Sequence, residues 1–136
     1  DARAVCSTLT LAKALAAAIE ARMDIINLSL AGPSDPLLTR LVEVGLQRGV
    51  VFVGATPRNS EDSGFPTTIP GVIGVDAAGT RASADSVLFA PGSEVLTLVP
   101  DGRYDFLSGS SLAAGFFKSI SQTRKASVTW RHCPTP

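Results

Sequence analysis

The chain has 136 residues, enough for one domain with a real core or for a piece of a larger one. Hydrophobic residues make up 45% of it, which excludes a disordered class, and no apolar run reaches the ~20 residues of a membrane span. The formal net charge is zero, which argues against electrostatic binding to nucleic acid or to an anionic membrane surface. That balance hides an asymmetry. Residues 1–105 carry all 12 acids and 8 of the 12 bases, a net −4, while residues 106–136 carry the other 4 bases and no acid.

The predicted elements run as follows. Ser7 or Thr8 caps a helix over Leu11–Arg22 whose apolar stripe is Leu11, Leu15, Ala18 and Ile19. Asp24–Leu30 reads as a buried strand that turns polar at alternate positions near its end. Ala31-Gly32-Pro33-Ser34 is a break. Ser34 or Asp35 then caps a helix over Leu37–Arg48, with Pro36 in the first turn, where its missing N–H costs nothing, and Gly49 as the stop. Val50–Ala55 is a short continuous apolar strand of the kind found inside a parallel sheet. A polar loop from Thr56 to Pro70 leads to further short strands over Gly71–Asp76, Ser86–Ala90 and Val95–Val99. Pro100-Asp101-Gly102 is a turn, and Arg103–Leu107 is the returning arm of a hairpin. Helix, strand, helix, strand, strand with short links predicts an α/β fold: a parallel sheet with helices on both faces.

In such sheets the working groups lie beyond the carboxyl ends of the strands. Three stretches fall there: Ser29–Gly32, Thr56–Gly64, and Ser108-Gly109-Ser110-Ser111-Leu112-Ala113-Ala114. In the last, a Gly-Ser turn opens an Ala-rich helix. A serine at that point meets outward-facing backbone N–H groups at the positive end of a helix dipole, which suits acyl transfer. The same pattern also serves as an ordinary helix cap.

The only histidine is His132, so no zinc spacing exists. Cys6 and Cys133 lie near opposite ends; a bridge is open to them, but the reading adopted is two unrelated thiols. Asp1–Val5 lacks the basic start and apolar core of a signal peptide.

Five stretches in order resemble the subtilisin-like serine peptidases. They are Asn27-Leu28-Ser29-Leu30-Ala31-Gly32-Pro33, Gly49–Ala55, Phe65–Val75, Phe89-Ala90-Pro91-Gly92 and Ser108–Ala114. The resemblance covers roughly Leu9 to Ala114 and implies the carboxyl-terminal part of a subtilisin-like catalytic domain, incomplete in this chain. On that basis residues 1–114 belong to such a domain and 115–136 form a divergent basic tail. The resemblance implies a serine endopeptidase with Ser111 as nucleophile. It further implies Ser29, Leu30, Ala31 and Gly32 as the segment that pairs with substrate backbone, Ala55, Thr56 and Pro57 as a pocket wall, and Gly64 as the pocket base.

Several features depart from the family. Its chain order is Asp, His, then Ser, so both partners of Ser111 would precede Asp1; His132 follows the serine in a polar tail and is not read as a base. The side-chain oxyanion donor is ambiguous: an ungapped count from Ala55 reaches Arg58, whereas a shorter loop brings Asn59 into place, and otherwise Asn59 is a turn residue. After Ala114 the chain reads Gly115-Phe116-Phe117-Lys118-Ser119 where the family has a long apolar helix, and Lys118 would be costly if buried. A truncated or frame-shifted reading from about Gly115 accounts for that, and translation of the other frames tests it.

The resulting expectation is an endopeptidase part that is inactive by itself. A non-catalytic α/β peptide-binding remnant is the alternative. A nucleotide-binding domain ranks below both for want of a glycine-rich phosphate loop. The partners implied are peptides or proteins. No cofactor is assigned: calcium is common in the family, but no carboxylate cluster stands near the carbonyls of Thr67–Val72. The resemblance suggests a secreted or periplasmic setting.

Overall fold

A computed structural model describes residues 6–57, 64–78, 87–99, 102–119 and 125–129. The elements are α1 (Thr8–Glu20), β1 (Ile25–Ser29), α2 (Pro36–Gln47), β2 (Val51–Ala55), β3 (Ile73–Ala77), β4 (Val87–Ala90), β5 (Val95–Leu98), β6 (Tyr104–Leu107), α3 (Ser110–Ser119) and β7 (Lys125–Thr129).

Local chemistry sets the helix starts. The Ser7 hydroxyl accepts from Thr10 N at 3.3 Å and caps α1. Asp35 caps α2, its Oδ1 accepting from Leu37 N at 2.9 Å and Leu38 N at 3.1 Å, with Pro36 in the first turn. The second oxygen of Asp35 accepts from the Thr8 hydroxyl at 3.1 Å, so one carboxylate joins the starts of both helices. Gly49 follows α2 at φ +83°, a conformation that ends a helix cheaply only for glycine.

The main sheet has five strands in the order β4-β3-β2-β1-β7, every neighbouring pair parallel. Alternation along the strands sorts side chains to two faces. Ile26, Leu28 and Phe52 join Leu11, Leu15, Ile19, Leu38 and Val42 in one apolar cluster with α1 and α2. Val53, Ala55 and Val75 join Ala113 and Ala114 in a second, on the face covered by α3. The architecture is therefore α/β with helices on both faces of a parallel sheet, in agreement with the expectation from the sequence. β5 and β6 make a separate antiparallel two-stranded sheet.

Three findings revise the sequence reading. The last helix begins at Ser110, one residue before the serine expected to open it. β7, inside the stretch expected to be a divergent tail, pairs with β1 from Ile25–Lys125 to Ser29–Thr129. Cys6 is disulfide-bonded rather than a free thiol, and no free cysteine occurs among the described residues. Cys133 lies outside them.

Candidate active site

The carboxyl ends of β1 and β2 meet the start of α3. On β1, Ile26 and Leu28 face the large core, so Asn27 and Ser29 face α3. Both are buried, and Asn27 Nδ2 donates to the Ser29 hydroxyl at 2.8 Å. That hydroxyl in turn donates to the backbone carbonyl of Ser111 at 3.0 Å, across 82 residues of sequence. Just past the end of β2, the carbonyl of Thr56 accepts from the Ser110 hydroxyl at 2.7 Å. A third tie comes from the link after β4, where Gly109 N donates to Gly92 O at 2.7 Å.

Consecutive serines thus have opposite fates. Ser110 is buried, its hydroxyl spent on β2, whereas Ser111 is exposed at the second position of the helix. The helix turns about 100° per residue, so one of two neighbours can anchor it while the other faces solvent. The amides of Leu112 and Ala113 both reach back to the Gly109 carbonyl, at 3.1 and 3.3 Å, which closes the first turn tightly beneath Ser111.

Removing the Ser29 hydroxyl strips a partner from both Asn27 and the Ser111 carbonyl. Ser29→Ala should cost about 1–2 kcal/mol of stability, read as a lower urea midpoint with an unchanged slope.

The sequence matches of this chain to curated proteins are partial in length and consistent in kind. It is 32% identical over 112 residues to the "Major intracellular serine protease" of Bacillus subtilis (strain 168), a match covering 71% of this chain and 35% of that protein. To the "Intracellular serine protease" of Paenibacillus polymyxa it is 31% identical over 129 residues, covering 81% and 40%. Among solved structures, the PatG macrocyclase in complex with peptide superimposes with a TM-score of 0.73 at 29% identity, covering 85% of this chain and 40% of that one. A cold-adapted subtilisin-like serine proteinase gives 0.71 at 25% identity, covering 84% and 46%. No family model matches the sequence. The chain belongs to the subtilisin-like serine proteases. It spans 35–40% of the length of these two curated relatives.

The subtilisin-like chain sets two of the expected residues, Ala55 and Thr56, against α3. Ala55 is buried against the α3 cluster, and Thr56 holds Ser110. Pro57 is half-buried and Gly64 buried. A Cβ on Gly64 would lie 2.7 Å from Ser34 N, so glycine is required there by close backbone approach.

The expected substrate-pairing segment divides in two. Ser29 is flanked by Thr129 of β7. Gly32 exchanges both backbone hydrogen bonds with Phe65, at 3.1 and 2.9 Å. Leu30 and the exposed Ala31 lie between these ties, past the ends of both ladders. Arg58, Asn59 and His132 lie outside the described residues.

Ser110, Gly92 and Asn27 were not singled out from the sequence. All three stand inside the stretches that resemble the family, and their local signals are a serine doublet, a Pro-Gly turn and a polar alternation at the end of β1. No group of three or more His, Cys, Asp or Glu capable of holding a metal occurs among the described residues. Within Thr67–Val72, the carbonyl of Ile69 accepts from Val72 N at 3.1 Å. A cavity of about 750 Å³ lined by Glu20, Arg22, Asp24 and Arg48 lies before the starts of β1 and β2, at the other end of the sheet from Ser111. No described helix is long and apolar enough to cross a membrane.

Proposed function

We propose that this chain is the nucleophile-bearing part of a serine endopeptidase, with Ser111 attacking the scissile carbonyl. The observation that carries the reading is the exposed Ser111 at a helix start pinned from two strand ends, by Ser29 and through Ser110 to Thr56. In acyl transfer the serine oxygen adds to the carbonyl carbon while a base takes its proton. The oxygen left negative is stabilised by fixed donors, and the Ser111 amide at the head of α3 is proposed as one. Asn59 is proposed as a side-chain donor to the same oxygen. Leu30 and Ala31 are proposed to pair with the backbone of the peptide between the fixed positions Ser29 and Gly32. Ala55, Thr56, Pro57 and Gly64 line the pocket for the residue before the cut bond. Residues 1–114 supply this part of the catalytic domain, and residues 115–136 depart from the family in sequence although β7 joins the sheet.

A hydroxyl without a base is a weak nucleophile near neutral pH, and the single histidine, His132, follows Ser111 in a basic, polar tail. The chain alone should therefore be inactive, the Asp and His coming from another segment. Incubation with a fluorophosphonate probe should leave Ser111 unlabelled. Addition of a segment bringing His and Asp should produce labelling that Ser111→Ala abolishes. Rapid labelling of the chain by itself would overturn the inactivity, and no labelling in the completed assembly would overturn the peptidase reading.

A further inference from the structure

β1 is built as an interior strand. Ile26 and Leu28 are buried on the face of α1 and α2, and Asn27 and Ser29 are buried on the face of α3. A strand covered on both faces belongs inside a sheet, with a partner along each edge. β2 holds one edge, from Ile25–Val51 to Leu28–Gly54. The other is held by β7, from the stretch that departs from the family in sequence. Lys125-Ala126-Ser127-Val128-Thr129 has one large apolar residue, against three in each of β1 and β2. Opposite Ile26, the registered partner is Phe52 on one side and Ala126 on the other. The position of this edge matters as well. Its carboxyl end is the pair Ser29–Thr129, and the Ser29 hydroxyl holds the Ser111 carbonyl at 3.0 Å. A chain leaving a parallel strand here therefore emerges beside Ser111. The opposite edge of the sheet, β4, is three strands from β1, roughly 14 Å at the spacing of paired strands. A strand added outside β7 would stand about 9–10 Å from β1.

We propose that β7 is an exchangeable place-holder, and that the β1 edge it covers is an acceptor for a parallel extended segment from the rest of the domain. The chain spans 35–40% of the length of two curated relatives, and the segment is assigned to the remainder. That assignment rests on Ser111 being the nucleophile, because a strand on this edge sets the residues after it where a base is needed. Recognition is by main-chain pairing, with alternate side chains giving the preference. The residues opposite Ile26 and Leu28 fall on the side of the α1–α2 core, so a segment with larger apolar residues there outcompetes Ala126 and Val128. Each further buried methylene favours the competitor by about fourfold. Exchange leaves the head of α3 in place, because its first turn is held by Ser29, Thr56 and Gly92, all outside β7.

The test is binding of a fluorescein-labelled peptide of residues 122–131 carrying Ala126→Ile to the full chain, read by fluorescence anisotropy. The parent should bind it weakly, since β7 has to leave first and the apparent affinity falls with the fraction of open edge. Successive N–H groups of a strand point to opposite sides, so Ser127→Pro together with Val128→Pro removes a donor facing β1. That double variant should bind the peptide about tenfold more tightly than the parent, or better. Ala126→Ile in the chain itself should strengthen β7 and weaken binding by about tenfold or more. It keeps the test decisive should the double variant fail to fold. The same peptide with both prolines should not bind. A benzophenone at the carboxyl end of the binding peptide should crosslink to residues 29–32 or 108–111, as parallel pairing requires. A double variant with the parent's helical circular dichroism that does not bind, equal affinity for parent and Ala126→Ile, or crosslinks at Asp24 and Ile25 would overturn the proposal. The peptide brings no base, so none of these results depends on hydrolysis. Absent labelling of Ser111 in the completed assembly, with exchange intact, would overturn the peptidase reading alone.

Discussion

Replacing Phe52 with alanine should destabilise the fold by about 3–5 kcal/mol, the range for truncating a buried aromatic side chain. Phe52 is fully buried in β2, and its ring presses on α2 so closely that a Cβ added to Gly45 would sit 2.6 Å from it. The cavity left behind is bounded by Ile19 and Gly45, on two helices that are themselves fixed by Asp35 and Ser7 and so collapse poorly. Since small domains have only about 5–15 kcal/mol of stability, the variant should be largely unfolded in mild urea. Phe52→Leu, which keeps most of the volume, should recover more than half of the loss. A loss below about 1 kcal/mol for Phe52→Ala would show that the two helices close over the gap.

Gly92→Val should be nearly as damaging, by overfilling rather than emptying. A Cβ at Gly92 would lie 2.9 Å from three atoms: Ala113 Cβ, Ala77 Cβ and the Gly109 carbonyl oxygen. None is the tip of a flexible side chain, and Ala113 and Ala77 are buried. α3 must therefore move away from β3. Overpacking of this kind costs about 1–3 kcal/mol, and the further methyls of valine should bring it to about 3 or more. Because Gly92 O also holds Gly109 N at 2.7 Å, the shift should loosen the first turn of α3. Amide exchange at Leu112 and Ala113 should speed up even where the rest of the sheet stays protected. If Ser111 is the nucleophile as proposed, its displacement by about 1 Å would cost on the order of 100-fold in turnover of the completed assembly. Exchange at these amides unchanged from the parent would mean that Gly92 does not position the helix.

How much was legible in the sequence depended on how local the cause was. Asp35-Pro36 and Ser7 each cap a helix through groups two or three residues away, so cap and start are written in adjacent letters. Val51-Phe52-Val53 carries its strand signal in its own branched and aromatic side chains. The serine pair at 110 and 111 was legible as a helix start and not as a division of labour. Which of the two faces solvent depends on the azimuth of α3, and that is set by Ser29 and Thr56, 82 and 54 residues away along the chain. β7 escaped for a related reason. Lys125-Ala126-Ser127-Val128-Thr129 has one large aliphatic residue, and an edge strand needs little apolar content when its backbone pairs with a strand already in place.

By itself the sequence determined the alternation of helices and parallel strands, the caps, and the serine-bearing turn at a helix head. Each follows from interactions within a few residues. Tertiary structure alone decided that Ser110 is buried and Ser111 presented, and that Ser29 is closed off by β7 while Leu30 and Ala31 lie past the ladders. It also gathered Leu96, Leu98, Tyr104 and Phe106 on one exposed face. Those outcomes are set by hydrogen bonds and strand registers between distant segments, whose pairing no local propensity encodes.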